Sequence, residues 1–527
     1  MIARIFYGVP VYTLNEKRTV DEAVVSINGK IDYVGALQPA LEQYPNAERI
    51  QYEKGCILPG FIDAHIHLGE FSMLYRDFDF SLVGSKSEII ELLEEKIAEY
   101  KKDEWIVAGG CTQPLLEQFT AKEIDAVTQK NPVIVYSSDL GSALVNSKAM
   151  AVAGIDENRS DPLRGRIETD VYNHPTGILR DRAIDLVRKK IPGEGTKKTE
   201  SAFEKGIEKL FSYGITSFCD CSQDPLSFSV KSLLGLYRKR KIGTKALLLF
   251  GEREARDLGG YGIPSGFGDS HIRLGGLKII LDGSLATLTG YMSEPYKSSE
   301  SYGILLIEEE ELFSILRRAY TQQIWASVQA TGDRANTIAL NCFEKLSREK
   351  GIPKLLKRVE YAQSIRDEDL DRFAKLDVAA IGTPGCIPMQ RQRAIAHLGS
   401  NAKLMHRYSS IVRSGAVLGI GSDAPMGSID PFHTIYCAVE RKEYDDGPEV
   451  RFYPKERLTM EEAVYAFTIG NAVACGMDEE IGSIEVGKSA DMVHLSHDIF
   501  SIQTAILRDI KALHTIIEGE VVWEMNI

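Results

Sequence analysis

Two histidines stand two residues apart near the end of an apolar run, GFIDAHIHL. An extended backbone points His65 and His67 to one face, with about 7 Å of rise between their Cα atoms. A cation can sit between two such imidazoles. Hydrogen-bonded core histidines would show the same spacing; Asp63 just before them and the strand-end position argue for ligation. A second apolar run, AVLGIGSDAPMGSIDPF, stops at Asp423. Burying that carboxylate unpaired would cost on the order of several kcal/mol. It therefore suits a metal ligand or a general base, with a cap of the following segment as the alternative. Lys278, in GGLKIILDGSLATLTG, sits between Leu277 and Ile279. Apolar neighbours penalise an isolated ammonium and favour snorkelling, pairing or a depressed pKa. A lysine at a strand start is also commonly a solvated edge residue.

Residues so far apart in sequence meet only if the elements carrying them converge. Eight short apolar runs end in polar residues and hand over to helical patterns: ILPGFIDAHIH, GITSFCDCS, TKALLLF, LGGLKIILDGS, IWASVQATGD, RVEYAQ, DVAAIGTP and AVLGIGSDAP. Buried strands alternating with amphipathic helices predict a parallel α/β sheet, and eight such units favour a closed (β/α)₈ barrel with its polar residues at the strands' C-terminal ends. Residues 68–195 carry their own helix pattern, SEIIELLEEKIAEYKK, and strand, PVIVYSSD, and are expected to form an insertion at the barrel mouth. The first 56 residues alternate short apolar runs with turn signals, as in AVVSINGKIDYVG, and residues 476–527 resume that idiom in IGSIEVGKSADMVHLS. One β-sandwich domain built from both termini is the expectation, with the barrel over 57–475.

Composition narrows the function classes. With 62 basic and 75 acidic residues the formal net charge is −13, and no long single-sign block offers a nucleic-acid groove. No run of 18 or more apolar residues is present, and the first residues lack a sustained apolar leader core, so a cytoplasmic protein is expected. Eight cysteines in 527 residues are too sparse for a disulfide scaffold and are expected to be reduced thiols.

The segments GFIDAHIHL, LVNSKAM, GITSFCD, LKIILDGSLATLTG, ATGDRAN, RVEYAQS, GSDAP with DPF, and GSIEVGKSADMVHL follow one another over nearly the whole chain. In that order the chain resembles metal-dependent amidohydrolases of the superfamily's YtcJ-like branch. The resemblance implies a distorted (β/α)₈ TIM barrel plus a β-sandwich of both termini. It implies that His65 and His67 are first-strand metal ligands, that Lys278 is the fourth-strand lysine often carboxylated to bridge two metals, and that Asp423 is the eighth-strand ligand and base. The sequence departs from the family elsewhere. Gln329 in QATGDRA stands where the fifth-strand histidine ligand is expected, and Tyr361 in EYAQ where the sixth-strand one is. Gly141 aligns with a histidine that would contact substrate, and Thr383 with a glutamine before the seventh-strand proline. Asp333 and Arg334 could orient substrate or brace their loop.

Amide oxygen and un-ionised phenol are poorer ligands than imidazole. One divalent metal per chain is therefore expected, Zn²⁺ by family habit, with a second site weak or absent. A metal-activated water, deprotonated by Asp423, would then attack an amide, formamide or related C–N bond of a small molecule. The competing reading is a catalytically impaired barrel that binds small molecules or regulates. No nucleic-acid or membrane partner is expected, and oligomeric state is not legible.

Overall fold

A computed structural model describes residues 3–74, 76–80, 83–137, 142–162, 165–181, 183–192, 197–222, 230–239, 243–297 and 299–525. The chain divides into two compact units, one of Met1–Ile66, Glu208–Leu226 and Gly243–Ile527, the other of His67–Ile207 and Ser227–Ile242.

In the first unit, eight described strands form one parallel sheet in chain order: Phe61–Ile66, Ile215–Asp220, Lys245–Phe250, Ile272–Ile280, Ala326–Gln329, Lys357–Glu360, Ala379–Gly382 and Leu418–Ile420. All eight predicted apolar runs are there, because strands buried on both faces read as continuous hydrophobic stretches. The sheet curls into a nearly closed, distorted TIM barrel. Where the first and eighth strands meet, side chains take over from the backbone ladder. Asn471, wholly buried on the helix Ile469–Cys475, accepts from Ile420 N at 2.7 Å and donates to Ile420 O at 2.7 Å and to Ile62 O. Asp63 Oδ1 accepts from Ser422 N at 3.0 Å, and Asp423 N donates to His65 O at 2.8 Å. Gly419 must lack a side chain, since a Cβ there would lie 2.5 Å from Asn471 Oδ1.

Helices follow the strands with one apolar face inward. Asp333–Arg348 buries Ala335, Ile338, Ala339, Cys342, Phe343 and Leu346, a 3.6-residue period. Among the described residues, Glu360 and Asp423 lie at or just after the C-terminal ends of their strands.

Strands from both chain ends share one further sheet of eight described strands, ordered Glu520–Glu524, Ala512–Ile517, Met492–Leu495, Cys56–Pro59, Ala3–Tyr12, Val20–Ile27 and Lys30–Gly35, with Glu48–Gln51 pairing Ala3–Tyr12. Alternation sends Phe6, Val24, Met492 and Ile516 to one core and Ile5, Ala23 and Val25 to another that includes Ala40. The Asn28-Gly29 hairpin has φ of 50° and 83°, the pair of positive angles a type I′ turn requires.

The second unit holds a six-stranded sheet, ordered Gly165–Thr169, Pro175–Asp181, Ser142–Val145, Val133–Ser137, Ile106–Cys111 and Phe78–Asp79. Its core packs Ile106, Val133, Val135 and Leu144 with Ile89 and Leu93 from the helix Lys86–Lys96. Among the described residues no helix is long and apolar enough to cross a membrane, and all eight cysteines are buried.

Candidate metal centre

His65 lies at the C-terminal end of the first barrel strand with no solvent exposure. Its two ring nitrogens have different surroundings. Nδ1 is 2.6 Å from Glu360 Oε2, and Nε2 is 3.6 Å from Asp423 Oδ1. Burial, and after it the positive charge of Lys278, push this imidazole below its ordinary pKa against the pull of Glu360 and Asp423. The ring is therefore neutral near pH 7. Asp63, two residues earlier, accepts from His65 N at 3.1 Å, and burial pushes its carboxyl up to about 7.

Asp423 follows the eighth strand in a left-handed backbone conformation, φ 57°, and is 6% exposed. Tyr361 ends the sixth strand with φ 65°. Its phenol donates towards both Asp423 oxygens at 3.3 Å, and its ring stacks on His65 with centroids 5.2 Å apart. Burial, then the Asp423 charge, drive the Tyr361 pKa well above the ordinary phenol value. The phenol stays protonated, a donor rather than an anionic ligand.

Lys278, 8% exposed on the fourth strand, donates from Nζ to Cys221 O at 2.9 Å. It pairs in register with Ser327 of the fifth strand. Gln329 is half-buried at the end of that strand, in register with Glu360. His67 comes just after the first strand, as the N-cap residue of the helix Leu68–Met73. It lies two residues after His65 along the chain.

Among the described residues His65 faces two groups of potential donors within its own unit, Asp423 on one side, and Cys221 with Glu360 on the other. Their spacings separate them. Metal–ligand bonds of roughly 2.0–2.2 Å in tetrahedral geometry place donor atoms about 3.3–3.6 Å apart. The His65 Nε2 to Asp423 Oδ1 separation of 3.6 Å lies in that range. The 2.6 Å between His65 Nδ1 and Glu360 Oε2 is a hydrogen-bond distance, and a cation there would first have to break that bond.

Three residues around the site were not singled out from the sequence: Glu360, Arg358 and Cys221. Glu360 is wholly buried at the end of the sixth strand and accepts from Arg358 Nη2 at 2.7 Å and from Ser327 Oγ. Burial opposes its ionisation, but the Arg358 charge and the His65 and Ser327 hydrogen bonds hold its carboxyl well below the usual range. A carboxylate ending the apolar run RVEYAQ was the available signal, of the same kind that marked Asp423.

The remaining predicted positions lie around these. Asp333, buried at the start of its helix, accepts from Ser293 N at 2.9 Å and from Ser293 Oγ, and Arg334 lies 4.9 Å over the Tyr291 ring. Both engage the segment after the fourth strand. Thr383 is buried and donates from its backbone N–H to Tyr408 Oη at 3.1 Å. Gly141 lies outside the described residues.

A barrel whose first and eighth strands bring imidazole and carboxylate together defines a class, and comparison with known proteins gives the same one. A model of the amidohydrolase family matches residues 54–523, and the chain belongs to that family of hydrolases. It is 29% identical over 99% of both chains to YtcJ of Bacillus subtilis (strain 168), whose name assigns it provisionally to the amidohydrolases. It is 24% identical, over 98% of this chain and 97% of the relative, to the N-substituted formamide deformylase of Arthrobacter pascens. Among solved structures, an uncharacterized metal-dependent hydrolase from Pyrococcus furiosus superposes with a TM-score of 0.76 at 25% identity, covering 95% of this chain and all of that one.

Proposed function

We propose that the protein hydrolyses a C–N bond other than a peptide bond, in an amide, formamide or related small molecule, with a single divalent cation, zinc by preference, at His65, His67 and Asp423. The observation that carries this reading is the 3.6 Å separation of His65 Nε2 and Asp423 Oδ1. The formamide deformylase among its relatives supports the substrate class.

A divalent cation held there supplies positive charge that brings the pKa of water at the site towards neutrality and polarises a carbonyl. His65 and His67 would contribute imidazole nitrogen donors. Asp423 takes the proton of the attacking water on its carboxylate and returns it to the departing nitrogen. Lys278 is anchored to the Cys221 carbonyl beside the site. Gln329 and Tyr361 replace the imidazoles a second cation would need, which keeps the occupancy at one. Asp333 and Arg334 brace the segment after the fourth strand, from where they orient substrate. The substrate is a small molecule, with no role for nucleic acid or membrane.

The Tyr361–Asp423 contact favours a second reading. A phenol donating to both oxygens of the base, at 3.3 Å each, lowers its basicity and competes with a cation for it. A catalytically impaired barrel that binds a small molecule would carry this feature without penalty. Elemental analysis of protein purified without added metal, with assays of N-substituted formamides and amides in the presence of Zn²⁺, separates the two. About one zinc per chain with amine release supports the hydrolase, whereas neither metal uptake nor turnover would leave the binding protein.

A further inference from the structure

A charged pair in the middle of a barrel core needs a reason. Arg358 and Glu360 are both wholly buried on the sixth strand, where well-packed apolar residues are often as stabilising or more so. The Arg358 guanidinium is spread over the barrel interior. It reaches Glu360 at 2.7 Å, Ala64 O at 2.8 Å, Cys475 Sγ at 3.4 Å and Cys219 Sγ at 3.5 Å. Glu360 in turn divides its oxygens. Oε1 receives Arg358 and Ser327, and Oε2 faces His65 Nδ1 at 2.6 Å. A carboxylate only accepts, so the proton in that last bond sits on His65 Nδ1. The other nitrogen, Nε2, is then the lone-pair face, and it looks towards Asp423.

We propose that Glu360 is a positioning residue of the candidate centre: it holds His65 in the Nδ1-protonated tautomer and aims Nε2 at Asp423, while Arg358 and Ser327 hold Glu360 for that task. As a cation claim this rests on the single-metal reading above, but the tautomer claim stands without it. Ligating histidines generally donate their second nitrogen to a carboxylate or carbonyl, and losing that partner typically costs about 10–100-fold in metal affinity. Glu360 therefore belongs behind the ligand, not among the ligands, and Cys221 does not ligate.

Nitrogen NMR of the parent protein reads the tautomer directly, with His65→Gln assigning the signal. Nδ1 protonated and Nε2 bare is the expected result, and the reverse would overturn the proposal whatever the protein binds. Zinc titrations against a competing chelator then compare the parent with Glu360→Gln, Glu360→Asp and the double variant Arg358→Met with Glu360→Gln. The double variant leaves no buried guanidinium uncompensated if the single one does not fold. Zinc binding should weaken about 10–100-fold in the Gln variants, with partial recovery in Glu360→Asp. Folded Gln variants that keep both the parent tautomer and the parent zinc affinity would sink the proposal. A parent that binds no zinc but loses its fixed tautomer in Glu360→Gln would keep the positioning role and reject the single-metal reading. Cobalt substitution tests the rival donor set, because a thiolate-to-Co²⁺ charge-transfer band that disappears in Cys221→Ser would make Glu360 and Cys221 ligands and overturn the assignment.

Discussion

On the proposed single-metal reading Tyr361 and Gln329 stand in place of two imidazoles, and the consequences are measurable at the level of single side chains. Tyr361 Oη donates to both Asp423 oxygens at 3.3 Å, so the phenol and a cation compete for one carboxylate. Tyr361→Phe keeps the ring stacked on His65 and removes that donor. Zinc affinity should rise about fivefold, the equivalent of one hydrogen bond of about 1 kcal/mol, and an unchanged or weaker affinity in chelator competition would refute the competition. Replacing Gln329 and Tyr361 together by histidine restores imidazole at both positions, and metal content by elemental analysis should move from about one towards two per chain. If a folded double variant takes up no more metal than the parent, the site differs from its relatives by more than two ligands. Replacing both His65 and His67 by alanine should abolish zinc binding, since a carboxylate with a nearby lysine leaves too few donors to compete with water.

Among the elements, the seam of the barrel is where a single residue matters most. Asn471 alone satisfies Ile420 N, Ile420 O and Ile62 O between the first and eighth strands. Asn471→Ala leaves those groups buried, and each costs roughly 1–3 kcal/mol when unpaired. A loss of several kcal/mol in denaturant unfolding is expected, on the order of 3–6 after partial relaxation, and a loss below about 1 kcal/mol would mean that backbone groups close the seam unaided. The loops after the fourth and fifth strands depend instead on Asp282, which accepts from Thr331, Gly332 and Tyr291 N–H groups at 2.9, 2.8 and 2.7 Å. Burial nevertheless pushes its carboxyl from 3.8 up to about 7. A folded-state pKa above the unfolded one means that the folded protein holds the extra proton. This contribution to stability is complete below 3.8 and is lost as the pH rises to about 7. Asp282→Asn should flatten the fall in unfolding free energy across that window relative to the parent, and identical pH profiles would refute the assignment.

For the molecule as a whole, the question is whether the sheet made by the two chain ends and the barrel are one cooperative structure. Lys245, at the start of the third barrel strand, is buried 2.7 Å from Asp491 Oδ2 and 3.1 Å from Ser489 Oγ in the terminal sheet's connecting segment. Asp491 Oδ1 also accepts Glu518 N at 2.9 Å. Lys245→Met strands a buried carboxylate, an error worth about 3–5 kcal/mol. Because the pair joins the barrel to strands from the C-terminal end, far-ultraviolet dichroism and tryptophan fluorescence should both shift to lower denaturant by the same amount. Transitions that separate in the variant would show the terminal sheet and barrel unfolding independently.

The strands, their order and the polar residues at their ends were legible from the sequence, because periodicity and the cost of burying a charge act within a few residues. Asp423 and the histidine pair stand out for that reason. Glu360 carries the same strand-end signal, but nothing local says which neighbour a buried carboxylate will have. Its partner His65 is 295 residues away. Which nitrogen of His65 faces the ligand set, why Arg358 can be buried at all, and how Asn471 closes the barrel depend on distances between strands that meet only when the sheet curls round. Those are products of chain closure, which brings positions near 65, 360 and 423 together, and no short-range pattern encodes them.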